Sequence, residues 1–197
     1  MGNIKVVIID GSPRKQSETR KLVYLTKAEL ELAGASVSVI DQALIPLPFF
    51  DGVQESSQHE AVQTLFSAIA TADAIILSSP EYHGSMSAAL KNALDWLTFQ
   101  PAEDSFRNKV VGLIGGGGGF ANSGASLQMM MAVRNMHGWL MPDVLVSIPE
   151  IWNAFDSAGQ LLDSRMQKRL ISFCQKLIEN ARMFKEKRAE LNRSTAA

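Results

Sequence analysis

Ile8-Ile9-Asp10-Gly11-Ser12-Pro13-Arg14-Lys15-Gln16-Ser17-Glu18-Thr19-Arg20 carries an apolar strand into a hydroxyl-rich turn with an arginine, which then opens a helix. A helix start presents backbone N–H groups without partners and the positive end of the helix dipole, so an anion such as phosphate is favoured there. Ser12, Ser17 and Thr19 add hydroxyl donors, and Arg14 can grip phosphate oxygens through two parallel hydrogen bonds. The same residues also suit ordinary N-caps that bind only their own backbone. The rest of the chain decides between the two.

That strand is the first of five runs rich in β-branched residues: Lys5 to Ile9, Ser36 to Ile40, Ala74 to Ser78, Val110 to Ile114 and Val144 to Ile148. Each run is continuous rather than alternating, as in strands buried on both faces of a parallel sheet. Helix-length segments separate or follow them at roughly 17–33, 58–72, 86–99, 123–138 and 160–184, with Gly34 and Gly138 placed as helix stops. Five β-α units predict an open, doubly wound α/β domain over residues 1–184. The charged and then small, polar segment 185–197 is expected to fray.

The chain has 197 residues, 46% of them apolar, which is enough for one core without staples. Its net charge of -1 supplies no basic field for nucleic acid. Cys174 is the single cysteine, which excludes an intramolecular disulfide and a thiolate metal cluster. At helical spacing with Leu170, Ile171, Leu177 and Ile178, it reads as a buried core thiol. No spaced His/Asp/Glu set suggests a metal. A single cysteine suits a reducing interior, so the cytoplasm is the default location, and with no apolar stretch approaching about 20 residues no membrane contact is expected.

In an open α/β sheet, ligands bind beyond the carboxyl ends of the strands where the strand order reverses. Three distinctive loops fall at such ends: Gly11 to Arg14, Ser79 to Ser85, and the glycine run Gly115 to Gly119. The second combines Pro80, Glu81, Tyr82, His83, Gly84 and Ser85, a mixture of apolar shelf and hydrogen-bonding edge that suits a planar heteroaromatic ligand. Bare backbone at the third suits close approach to a ligand, or a hinge. Gly116-x-Gly118-x-x-Ala121, with Asp143 further on, satisfies a dinucleotide fingerprint. Five consecutive glycines satisfy almost any such spacing, and the fingerprint belongs to the first β-α turn. The long apolar loop from Gln42 to Ser57 reads as a cover over a ligand or partner, or as a loop tucked onto its own sheet edge. Trp96 reads either as a subunit contact or as a residue folded under that loop.

These residues resemble the NADPH-dependent FMN reductase family of flavodoxin-like proteins, which includes quinone, azo-dye and chromate reductases. Gly11-Ser12-x-Arg14-x-x-Ser17-x-Thr19 is similar to its FMN phosphate loop, where asparagine is more usual at the position of Thr19. Pro80-Glu81-Tyr82-x-Gly84-Ser85 and Leu90-Lys91-Asn92-Ala93-Leu94-Asp95-Trp96 are similar to its most specific stretch. His83 stands where that family commonly has asparagine, and Ser87-Ala88-Ala89 where a glycine is frequent.

The resemblance implies a flavodoxin-like three-layer sandwich, a five-stranded parallel sheet in the order 2-1-3-4-5 with helices on both faces. It implies FMN as cofactor, its phosphate on Ser12, Arg14, Ser17 and Thr19. The isoalloxazine would be lined by Pro80 to Ser85, with Gly116 and Gly117 near the ring's other side. The implied activity moves hydride from NADPH or NADH to FMN and then to a small-molecule acceptor (quinone, flavin, azo compound or metal oxyanion) by ping-pong turnover. The cofactor carries the chemistry, so no catalytic residue is assigned, though His83 is a candidate proton donor to a quinone product. Lys15 and Arg20 lie near the edge where a 2′-phosphate would be met, or are solvated surface charges. A homodimer or homotetramer is expected. A flavodoxin-type electron carrier or a flavin-free interaction module would share this fold, and the near-neutral charge argues against the carrier.

Overall fold

Strand β1 (Lys5–Asp10) is apolar from Val6 to Ile9 and buried on both faces, so it lies inside the sheet. The computed structural model describes residues 3–101, 105–118 and 123–195. Gly119 and Ala121 of the glycine segment, and the last two residues of the tail, lie outside them. β1 pairs in parallel with β2 (Ser36–Asp41) on one side and β3 (Ala74–Tyr82) on the other. β5 (Val110–Gly117) then pairs with β3, and β6 (Trp139–Pro149) with β5. The order β2-β1-β3-β5-β6 is the expected 2-1-3-4-5 once the short strand β4 (Ser85–Met86), antiparallel to the end of β3, is set aside. Strand order reverses between β1 and β3, and the three distinctive loops meet at that edge.

Helices α1 (Glu18–Leu32), α2 (Glu60–Thr71), α3 (Ala88–Trp96), α4 (Ser123–Asn135) and α5 (Ser164–Thr195) cover the sheet, with α1 and α5 packed on one another. Gly112 permits the close approach of α5, because a Cβ there would lie 2.5 Å from the Phe173 ring. Gly34, at φ 87°, follows α1 as expected of a helix stop. Cys174 is buried among core residues, and burial pushes its thiol up to about 12. Among the described residues, no helix is long and apolar enough to cross a membrane.

Two expectations change, and a choice left open is decided. β6 begins at Trp139 rather than Val144, since Leu140 to Leu145 bulges against Val111 to Leu113 and Pro142 conceals the earlier half. α5 continues through the charged segment from Lys185 to Thr195 where fraying is expected. Lys185 Nζ and Arg188 Nη2 donate to the two oxygens of the nearly buried Asp73, at 2.7 and 3.1 Å, and hold the extension down. Trp96 is fully buried and offers no surface to a partner. Its Nε1 and Asn92 Nδ2 both donate to Pro48 O at 2.8 Å, while Phe50 stands edge-on to its ring. The 42–57 loop thus folds onto α3, leaving Phe49 86% exposed.

Candidate functional site

The turn after β1 is held from beneath by charge. Asp10 ends β1 fully buried, beside Asp41 at the end of β2, because the parallel register pairs these two residues. Arg20, one turn into α1, donates from Nε to Asp10 Oδ2 at 3.0 Å and from Nη2 to Asp41 Oδ1 at 2.9 Å. Its remaining donors reach the carbonyls of Ser12, Arg14 and Lys15 at 2.7, 2.6 and 3.0 Å. Arg20 is therefore an internal brace, its side chain 12% exposed, and neither a cation open to a 2′-phosphate nor a solvated surface charge. Asp10 also accepts from Ser12 N at 3.0 Å. Burial pushes its carboxyl up to about 6 against the opposing pull of that N–H and of Arg20. Gly11 is required by close approach: a Cβ would lie 2.6 Å from Ser78 O and 2.7 Å from Leu90 Cβ.

With the turn so fixed, its outward groups are available. Ser12 Oγ is buried without a hydrogen-bond partner among the described residues, an arrangement that is costly unless a ligand or water completes it. Arg14 is exposed and makes no ion pair among the described residues. Ser17 caps α1 by accepting from Arg20 N at 3.2 Å, and its hydroxyl proton remains to donate. Helix N-terminus, orphaned hydroxyl and unpaired guanidinium together fit a phosphate.

The third-strand loop is a tight hairpin. Tyr82 pairs with Ser85 across His83 and Gly84, both at positive φ, 53° and 70°. Such a turn favours Asn-Gly, and histidine shares asparagine's tolerance of that region. The departure from asparagine at His83 is thus accommodated by the backbone. Three of the expected ring-lining residues, His83, Gly84 and Ser85, form this turn outside the cavity walls; Ser85 Oγ donates to Gln128 Oε1 on α4 at 2.8 Å. Glu81 Oε2 accepts from Ala125 N at the start of α4, at 3.1 Å. Ser87 caps α3 and donates to Gly11 O at 2.6 Å, tying this loop to the first.

Between the loops lies a cavity of about 310 Å³. Arg14, Ser17 and Thr19 line it on one side, Pro80, Glu81 and Tyr82 on a second, Gly116 and Gly117 on a third. Ser12, which is buried, is not among the residues that line this cavity. Gly116 is bare for a reason internal to the fold, since a Cβ there would fall 2.3 Å from Ile151 Cδ1. Ile151 and Trp152, after β6, close the fourth side, with Trp152 58% exposed at the mouth. The sequence reading missed this wall, although the rule about strand ends points to it as directly as to the others.

A family model described as NADPH-dependent FMN reductase matches residues 4–153. The chain belongs to the NADPH-dependent FMN reductase family. It is accordingly an oxidoreductase that uses FMN as cofactor and NADPH as co-substrate. It is 37% identical over 143 residues to an FMN-dependent NADPH-azoreductase of Staphylococcus saprophyticus, covering 71% of this chain and 74% of that one. Against an NADPH:quinone oxidoreductase of Arabidopsis thaliana, identity is 31% over 173 residues, covering 85% and 86%. The fold is similar to that of a flavoenzyme NAD(P)H:(acceptor) oxidoreductase from Paracoccus denitrificans, with a TM-score of 0.76 at 23% identity, covering 92% of this chain and 98% of that one.

Proposed function

We propose that this reductase binds FMN in the cavity between the four loops and passes reducing equivalents from NAD(P)H to quinone, azo or flavin acceptors, the two substrates using the same open side in turn. The observation that carries the proposal is the turn leading into α1, where the buried Ser12 hydroxyl has no hydrogen-bond partner and Arg14 no ion pair among the described residues. When bound, the flavin supplies hydride acceptance and donation, which no side chain of the protein can provide. Ser12, Arg14, Ser17 and Thr19 hold its phosphate, and Arg20 keeps their backbone in position. Pro80, Glu81, Tyr82, Gly116 and Gly117 form the walls for its ring, the hairpin His83-Gly84-Ser85 holding the rim. Tyr82 and Trp152 flank the mouth, where they orient a planar substrate and exclude water.

Relatives that reduce azo compounds and quinones support small planar acceptors. The exposed apolar side chains Leu44, Phe49 and Val53 support a homo-oligomer built on the 42–57 loop. The purified protein is expected to be yellow or to take up FMN stoichiometrically, and anaerobic NADPH to bleach it. Failure to retain added FMN removes the reading.

A further inference from the structure

A second large depression adjoins the flavin cavity and shares one turn of chain with it. A groove of about 700 Å³ runs between the first turns of α1 and the hairpin closed by the Phe155–Leu161 bridge. Gln16, Ser17 and Glu18 line both this groove and the 310 Å³ cavity, so the two depressions meet across one turn of chain. A dinucleotide whose nicotinamide enters the cavity must lead its adenosine end out over an edge, and this edge opens into a ready-made recess.

Four cations border the two depressions: Arg14, Lys15, Arg20 and Lys21. Arg20 is fully engaged by two carboxylates and three carbonyls. Arg14 lines the cavity rather than the groove. Lys15 has its carbonyl pinned by Arg20, yet its ammonium makes no ion pair among the described residues. Lys21 reaches Glu18 at 2.8 Å in a half-exposed pair, weak enough for a doubly charged phosphate to displace, and lies 5.8 Å from the Phe155 ring centroid. Among the described residues Glu18 is the one carboxylate on the groove wall and Lys21 already answers it, so Lys15 is left there as uncompensated positive charge. Tyr24, its hydroxyl fixed by Asp41 at 3.1 Å, adds with Leu25 and Ala28 a flat, largely apolar wall suited to a purine.

We propose that this groove is the seat of the adenosine 2′-phosphate end of NADPH, with Lys15 and Lys21 as the residues that distinguish NADPH from NADH. The assignment rests on the proposed flavin site, which directs the nicotinamide to the neighbouring cavity. The probes are adenosine 2′,5′-bisphosphate and adenosine 5′-monophosphate, titrated calorimetrically into the FMN-loaded and the flavin-free protein. The bisphosphate is expected to bind about tenfold or more tightly than the monophosphate, as for a charge-assisted phosphate contact. The Lys15→Ala/Lys21→Ala variant is expected to lose most of that preference.

In turnover, the ratio of kcat/KM for NADPH to that for NADH falls by a similar factor, with the adenosine-free donor N-benzyl-1,4-dihydronicotinamide as internal reference. Equal binding of the two fragments to the wild type, or an undiminished NADPH preference in the variant, overturns the groove assignment. Loss of FMN binding would instead strike the flavin reading, which the fragment titration on flavin-free protein does not depend on.

Discussion

The two ends of the cavity are built by opposite means. At the α1 end, Arg20 gathers two buried carboxylates and three carbonyls, so the turn from Ser12 to Lys15 is set by charge before any ligand arrives. At the far end, Pro80, Gly116 and Gly117 offer shape and bare backbone, and Glu81 is turned to the start of α4. A phosphate rewards fixed dipoles, because donors already oriented cost nothing to reorganise when the anion binds. A tricyclic ring rewards a slot of the right width.

The contrast breaks most easily at Arg20. Arg20→Ala leaves Asp10 and Asp41 buried without their cation, at a cost of about 3–5 kcal/mol in urea unfolding, and FMN affinity falls with it. Asp10→Asn probes the same network through pH. The Asp10 carboxyl is raised from 3.8 to about 6, so between those values the folded state holds more proton than the unfolded one. Its contribution to stability is therefore greatest at low pH and declines as pH rises. Wild type should lose about 2 kcal/mol relative to Asp10→Asn between about pH 4 and pH 6. A constant difference across that window would count against the network.

Arg14→Ala is expected to separate binding from folding: FMN affinity drops about 10- to 100-fold while the urea midpoint stays put, since the side chain is exposed. Gly116→Ala acts at the ring end. The new methyl meets Ile151, costing about 1–3 kcal/mol and altering the flavin's visible spectrum more than its phosphate-dependent affinity. His83→Asn gives the smallest effect, under about 0.5 kcal/mol with an unchanged spectrum, because both residues serve the same left-handed turn position. A large loss in that variant would assign the imidazole a direct part in the reaction.

Much of this arrangement is legible in the chain. Continuous β-branched runs identify the five long strands, and the rule that ligands bind beyond their carboxyl ends finds three of the four cavity walls. What stayed hidden depends on partners far apart in sequence. Asp10 and Asp41 become neighbours only through the β1–β2 register, so nothing local marks Arg20 as a brace. Gly116 lines the cavity, but what keeps it bare, Ile151 packed where a Cβ would stand, comes from a segment far along the chain. The charged composition after Lys185 suggests fraying because Asp73, which holds the helix there, belongs to a different segment.

The three tryptophans are sorted by environment in a way that gives the molecule its own optical gauge. Trp96 is sealed beneath the 42–57 loop, Trp139 stacks obliquely on Phe184 with centroids 4.7 Å apart, and Trp152 alone stands open at the cavity mouth. Aqueous iodide should therefore quench chiefly one indole, and whatever shields that indole from the quencher reports occupancy in real time, with no label attached.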